Sequence, residues 1–333
     1  MKLFKSLLIA PAALGLMAPV AVNADTAFSP TTKMSGSANF VTGSTNDHAT
    51  LGDELHSTYE MKYKATSSIS GEDKLVVKFE MGNGKGMGLD AQSDKGSATG
   101  SPVMTDLYYS FPVSDDFTIT AGPVMDGDEG LEGTASVYSD KAGVSLDYAS
   151  LDGAGGAGVT FGYKGDAGWN ASLNLTAEDG DSSTKGIFGD TGTNNTTAQL
   201  GYDGDGFGGA VTYLSSDANS SASDFTALGV GAYFMPESLP VSISVYYDSK
   251  DPDTGSTDDN WAVGIEGDAG PGTLGLGVGT ISGTDGDKTK YEAWYAYKIN
   301  DKTTITPIIW QQEDEGLSAE DETGAAVTVG FKF

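Results

Sequence analysis

Ala325-Ala326-Val327-Thr328-Val329-Gly330-Phe331-Lys332-Phe333 are the last nine residues of the sequence, and their reading decides the fold class. Odd positions are apolar and even positions are small or polar, the two-residue period of a strand with one apolar face. The same period recurs upstream. In Glu54–Thr66, Leu55, Ser57, Tyr59, Met61, Tyr63 and Ala65 share one face, and Glu54, His56, Thr58, Glu60, Lys62 and Lys64 share the other. In Lys74–Asn83, Leu75, Val77, Phe79 and Met81 oppose Lys74, Val76, Lys78 and Glu80. Leu107/Tyr109/Phe111, Phe117/Ile119/Ala121, Leu228/Val230/Ala232/Phe234, Val241/Ile243/Val245/Tyr247 and Tyr291/Ala293/Tyr295/Tyr297 repeat the pattern. The chain therefore reads as all-β.

Composition narrows the class. Hydrophobic residues make up only 38% of the chain, too few for a bundle of membrane helices but right for strands that are apolar on one face. Lys2 and Lys5, the apolar run Leu7–Met17 and Val22-Asn23-Ala24 before Asp25 read as a secretory signal, so residues 1–24 are expected to be removed and residues 25–333 to form one domain. That run is too short to stay as a membrane helix, and no other stretch approaches about 18 apolar residues. Cysteine is absent, which fits an exported chain and argues against thiol or iron–sulfur chemistry. The 47 glycines follow no three-residue period, so a collagen is excluded.

Connections alternate in length. Short ones fall at Val113–Asp116, Gly165–Gly168, Asp203–Gly206, Pro236–Pro240, Gly267–Gly272 and Asn300–Lys302; longer ones fall at Thr42–Asp53, Gly84–Ser101, Glu178–Asn195, Asp217–Asp224, Lys250–Asp258 and Glu313–Thr323. Tight turns at one end and longer loops at the other is the layout of a transmembrane antiparallel β-barrel. Sixteen strands is the preferred count. Eighteen is the alternative if Glu132–Ser139 and Gly143–Ser150 are also strands; otherwise Asp126–Gly156 is one long third external loop, expected to fold into the lumen. Tyr108, Tyr109, Phe117, Tyr246, Tyr247, Trp294 and Tyr295 lie near strand ends and are candidates for aromatic girdles.

The terminal strand ending on Phe333 resembles those of outer-membrane β-barrel proteins, which implies recognition of Phe333 by the barrel-assembly machinery. The segment Phe111-Pro112-Val113-Ser114-Asp115-Asp116-Phe117-Thr118-Ile119-Thr120-Ala121-Gly122-Pro123 resembles cyanobacterial outer-membrane porins, which are grouped with the carbohydrate-selective porins. Ser29–Met34, Thr303–Ile308 and Gly330–Phe333 extend the similarity. It implies an outer-membrane porin fold, passive diffusion of small hydrophilic solutes and a homotrimer. The S-layer-homology domain common in that family is not found before the barrel, so a short form is expected. Where family members carry basic residues after the Gly-Pro, this chain has Val124-Met125-Asp126-Gly127-Asp128-Glu129, so selectivity is read from its own residues.

Net charge is −29, and losing Lys2 and Lys5 would take it to −31; all 18 basic residues are lysine, with no arginine. Such a field repels nucleic acid. His48 and His56 are the only histidines and fit neither a catalytic triad nor a metal-ligand spacing, so no enzyme, cofactor or metal centre is expected. The clusters Asp251-Pro252-Asp253 and Glu313-Asp314-Glu315 lack calcium-loop spacing. The candidate constriction is the third loop, with Asp126, Asp128, Glu129, Glu132, Asp140 and Asp147 against a single base, Lys141. The candidate lumen wall carries Glu60, Lys62, Lys64, Lys74, Lys78, Glu80, Lys290 and Glu292, with Lys298 a further wall base. Rings of carboxylates favour cations. The expected function is a cation-preferring diffusion channel in outer-membrane lipid. The alternatives are a specific channel for sugars or metal ions, with Trp294 and Trp310 as a stacking track, and a non-transport surface barrel.

Overall fold

A computed structural model describes residues 32–46, 54–83, 101–144, 153–189, 191–218, 224–281, 288–314 and 321–333. The signal segment, His48, Asp147 and most of Gly143–Ser150 lie outside the described residues.

Sixteen strands alternate in direction around a closed barrel. They are β1 Lys33–Asn46, β2 His56–Ser67, β3 Lys74–Gly82, β4 Val103–Pro112, β5 Phe117–Met125, β6 Gly156–Lys164, β7 Trp169–Ala177 and β8 Asn194–Asp203. The second half is β9 Phe207–Asp217, β10 Phe225–Phe234, β11 Val241–Pro252, β12 Asp258–Ala269, β13 Gly272–Ile281, β14 Lys288–Asn300, β15 Thr303–Asp314 and β16 Glu322–Lys332. Glu132–Ser139 is not a strand, which settles the count at sixteen. The first strand runs to Asn46, so the connection expected from Thr42 begins after Asn46. The turn at 68–73 and the connection at 282–287 complete the alternation of short and long connections.

The wall follows the two-residue period. Phe161, Leu173, Leu200, Val211, Leu228, Val245, Trp261 and Leu276 turn an exposed apolar face outward, while Thr160, Ser172, Gln199, Thr212, Ser244 and Glu292 point inward and are buried. Every strand crosses with its backbone groups paired to two neighbours, the condition for lying in hydrocarbon. Aromatic rings pair on the outer face beside the short turns: Tyr109 with Phe111, Phe117 with Tyr163, Trp169 with Tyr202, and Tyr63 with Phe333. Of the candidate girdle residues, Tyr108, Tyr246 and Trp294 are instead buried on the inner face. They sit on the parity opposite Tyr109, Tyr247 and Tyr295, and closeness to a strand end does not override parity.

Closure joins the first strand to the last. β1 and β16 pair from Ser37↔Lys332 to Asn46↔Thr323, and Gly36 and Phe333 exchange backbone hydrogen bonds of 2.8 and 3.0 Å. A Cβ at Gly36 would stand 2.5 Å from the Phe333 ring, so the bare backbone is what admits that ring. Three ladder irregularities fall in β3–β6, at Lys78/Phe79, Leu107/Tyr109 and Gly122/Met125, and a fourth lies between β14 and β15 at Lys298/Asn300. Bulges bend and twist strands, and the three in β3–β6 lie around the point where the chain leaves the wall after Met125.

Candidate functional site

Residues 126–144 of the connection between β5 and β6 lie against the inner face of the barrel. Their backbone cannot be left unpaired away from water, and polar wall side chains supply the partners. The Glu129 carbonyl accepts from Thr160 Oγ1 at 2.5 Å and Asn174 Nδ2 at 3.2 Å, and the Gly127 carbonyl accepts from Thr197 Oγ1 at 3.3 Å. Farther along, Glu132 N–H donates to Ser172 Oγ at 2.8 Å, Gly133 N–H to Gln199 Oε1 at 2.6 Å and Val137 N–H to Ser244 Oγ at 3.0 Å. Ser139 N–H donates to Glu266. These contacts run around the wall from β6 to β12. Inner glycines make room for the segment: a Cβ at Gly231 would lie 2.5 Å from the Ala135 carbonyl, and one at Gly264 would lie 2.2 Å from the Tyr138 ring.

The far end of the loop is anchored on β14 by one carboxylate. Glu292 accepts from Tyr138 OH at 2.5 Å, from Ala142 N–H at 2.6 Å and from Lys141 N–H at 3.2 Å. Trp294 Nε1–H donates to Tyr138 OH at 3.2 Å, and Lys141 Nζ stands 5.2 Å from the centre of the Trp294 ring. Burial, reinforced by the Glu292 charge, pushes the Tyr138 hydroxyl well above its ordinary range and keeps it a donor. Glu292 and Lys290 are thus on the inner face as expected, but they are buried. Trp294 and Trp310 are also 3% and 4% exposed, and each ring lies over the glycine opposite it, Gly275 and Gly324. Neither ring offers an open face on which a sugar can stack.

The candidate loop acids are spread along this path. Asp128 is exposed; Asp126, Glu129, Glu132 and Asp140 are half-buried. Glu132 packs over Gly162 of β6. Glu129 turns toward β4, where it meets Tyr108 and Asp106. Burial raises its carboxyl to about 7; the hydrogen bond from Tyr108 opposes the shift, and the neighbouring Asp106 adds to it.

Across β1 to β4 the inner wall carries an ion-pair ladder. Asn39 Nδ2 donates to Glu60 Oε2 at 3.2 Å, and Lys62 Nζ stands 3.0 Å from Glu60 and 3.7 Å from Glu80. Lys78 Nζ is 3.2 Å from both Glu80 and Asp106. Two ammonium groups are therefore shared among three carboxylates. The lysine side chains remain 41% and 28% exposed, so these pairs contribute little to stability, each about 0–1 kcal/mol. Lys64 and Lys74 are exposed on the same inner parity. Asp106 was not among the candidates from sequence, although its place opposite the Leu107/Tyr109/Phe111 face marks it as inward. Tyr138, Glu266, Ser172, Gln199 and Ser244 escaped for a different reason: their roles depend on which loop backbone lies above them.

No family model matches the chain, and no curated relative matches it. Solved structures do. OprB of Pseudomonas putida, determined at high pH, aligns with a TM-score of 0.69 at 10% identity, covering 91% of this chain and 94% of that one. The anion-selective porin of Comamonas acidovorans aligns with a TM-score of 0.61 at 13% identity, covering 91% and 99%. A triple mutant of the Rhodopseudomonas blastica porin aligns at 0.62 and 16% identity, covering 91% and 100%. With sixteen antiparallel strands closed on themselves, the chain has the fold of the bacterial outer-membrane porins.

Proposed function

We propose that the protein is an outer-membrane diffusion channel for ions and small hydrophilic solutes, with a preference for cations, and that the 126–155 loop forms its constriction. The observation that carries the selectivity is the ladder. The wall lysines Lys62 and Lys78 are already shared among Glu60, Glu80 and Asp106, so the ladder itself sets three carboxylates against two ammonium groups, while Lys64 and Lys74 stand exposed nearer the 68–73 turn. The loop adds Asp126, Asp128, Glu129, Glu132 and Asp140 against Lys141. A water-filled passage keeps exposed carboxylates such as Asp128 ionised at low cost, where they raise the local cation concentration, and Glu129 joins them as pH rises through about 7. Asp147 belongs to the same proposal by its place in the loop. The fold alone does not set the sign, since an anion-selective porin shares it; the charges do. The buried rings of Trp294 and Trp310 argue against the sugar-stacking alternative. A homotrimer is the assembly the sequence resemblance implies, and chemical cross-linking in detergent reads it directly.

The test is a planar-bilayer reversal potential across a potassium chloride gradient. The expected result is stepwise conductance with a cation-selective potential, reduced when Asp126, Asp128 and Glu129 are replaced by Asn, Asn and Gln. An anion-selective potential overturns the cation preference. Absence of conductance overturns the channel reading and favours a surface barrel.

A further inference from the structure

Lysine is scarce in this chain, yet four of the 18 gather in one place. A cavity of about 480 Å³ on the inner side of β14, β15, β16 and β1 is lined by Lys141, Lys298, Lys302 and Lys332. They come from separate segments: the tip of the inward loop, the end of β14, the two-residue turn to β15, and the end of β16. Backbone geometry converges them. Lys332 N–H donates to the Lys302 carbonyl at 2.8 Å, Lys302 N–H donates to Asn300 Oδ1 at 2.8 Å, and Lys298 pairs across the ladder with Thr304. Asp301 is the one carboxylate among the described lining residues. Glu292, the nearest acid along β14 toward the loop tip, is taken up by Tyr138, Lys141 N–H and Ala142 N–H.

A second observation points to a ligand. Thr328 lines the same cavity and is only 8% exposed, and its Oγ1 has no hydrogen-bond partner within the protein. Buried hydroxyls are ordinarily paired, because leaving one unpaired costs about 1–3 kcal/mol. The Thr328 Oγ1 is itself enclosed and would have to turn about its Cα–Cβ bond to face the cavity; ammonium groups from several sides, joined by that hydroxyl, are what an anion with several acceptor oxygens requires. We propose that this cavity, at the short-turn end of the lumen, is a binding site for a small oxyanion bearing a phosphate or carboxylate group, held by Lys298, Lys302, Lys332 and Lys141 with Thr328 as hydroxyl donor. It makes the lumen bipolar, with the acidic ladder on β2 to β4 and a cationic seat near β15 and β16. The charge separation suits solutes that carry both signs, or an anion crossing an otherwise cation-preferring passage.

The experiment measures binding of inorganic phosphate to the purified, folded barrel in detergent by calorimetry, and by broadening of the phosphorus resonance. It needs no conductance, so it stands whether or not the diffusion-channel reading does. Saturable binding is expected, weakened at least about tenfold in Lys298→Gln/Lys302→Gln and about fivefold in Thr328→Val, following the loss of charge-assisted and neutral donors respectively. Lys164→Gln, which removes a lysine beside another short turn, is expected to leave it unchanged. Lys332→Gln provides an independent variant, and each protein is first checked for barrel formation by its heat-modifiable mobility. Absence of saturable binding overturns the proposal, as does binding that Lys298→Gln/Lys302→Gln and Lys332→Gln leave unaltered, or that Lys164→Gln weakens equally.

Discussion

At the scale of single residues, Glu129 is the group whose protonation matters most. Its carboxyl, raised to about 7 by burial and the nearby Asp106, stays protonated in the folded barrel at a pH where the unfolded chain has released that proton. Its favourable contact with β4 is therefore fully present below the ordinary carboxylate range and is lost as pH rises through about 7. Once ionised it faces Asp106 as a like charge, and the base of the loop is pushed from the wall. Single-channel current noise and cation selectivity should both increase as pH is raised across that value, and Glu129→Gln should flatten both profiles. At the turn 68–73 the opposite arrangement holds. Burial works against ionisation of Asp73, but hydrogen bonds from Ser68 at 2.5 Å, Tyr109 and the backbone N–H groups of Ile69 and Ser70 keep its carboxyl well below the usual range.

Among the elements, the inward loop is held both by the Glu292 carboxylate and by packing of Ala135, Tyr138, Ala142 and Val144 against apolar wall residues. Glu292→Ala leaves Tyr138 OH and the Lys141 and Ala142 N–H groups without their acceptor, at about 1–3 kcal/mol for each donor that stays buried and unpaired. The loop tip should detach. Unitary conductance should rise and the thermal unfolding midpoint should fall, whereas Glu292→Gln, which keeps an acceptor oxygen, should retain part of both. The strands themselves were legible in the sequence because lipid demands an apolar outer face, which writes a two-residue period into each one. The course of residues 126–144 was legible only as a length. Most of its hydrogen bonds to the wall join loop backbone to wall side chains, from Thr160 to Glu292, and such pairings leave no local pattern. The same gap misplaced Trp294 among the girdle candidates: its parity pointed inward, but only the loop above it explains why a large ring is buried there.

At the scale of the molecule, the barrel is a circle whose closing bond joins its two ends. Removing Phe333 deletes the paired hydrogen bonds to Gly36 and the edge contact with the Tyr63 ring at 5.5 Å. An unclosed barrel exposes two strand edges, which lipid does not tolerate. Deletion of Phe333 should lower the heat-modifiable, folded fraction recovered from membranes, and Gly36→Val, which drives a side chain into the Phe333 ring, should do the same; unchanged recovery in both would detach closure from this contact. Whether assembly machinery reads Phe333 separates out by refolding the deleted chain into detergent without that machinery.

The ladder on β1 to β4 has a kinetic consequence. A bare carboxylate in a narrow passage is a trap, because a divalent ion that finds it has nothing to displace it. Here Glu60, Glu80 and Asp106 each already hold a lysine ammonium, and each ammonium has a second carboxylate within reach. An ion settling on one rung would be expected to swing the lysine toward the next, from where the returning ammonium competes it off. In the cation-preferring channel proposed above, such a wall would attract cations while limiting their dwell time, trading tight occupancy for throughput.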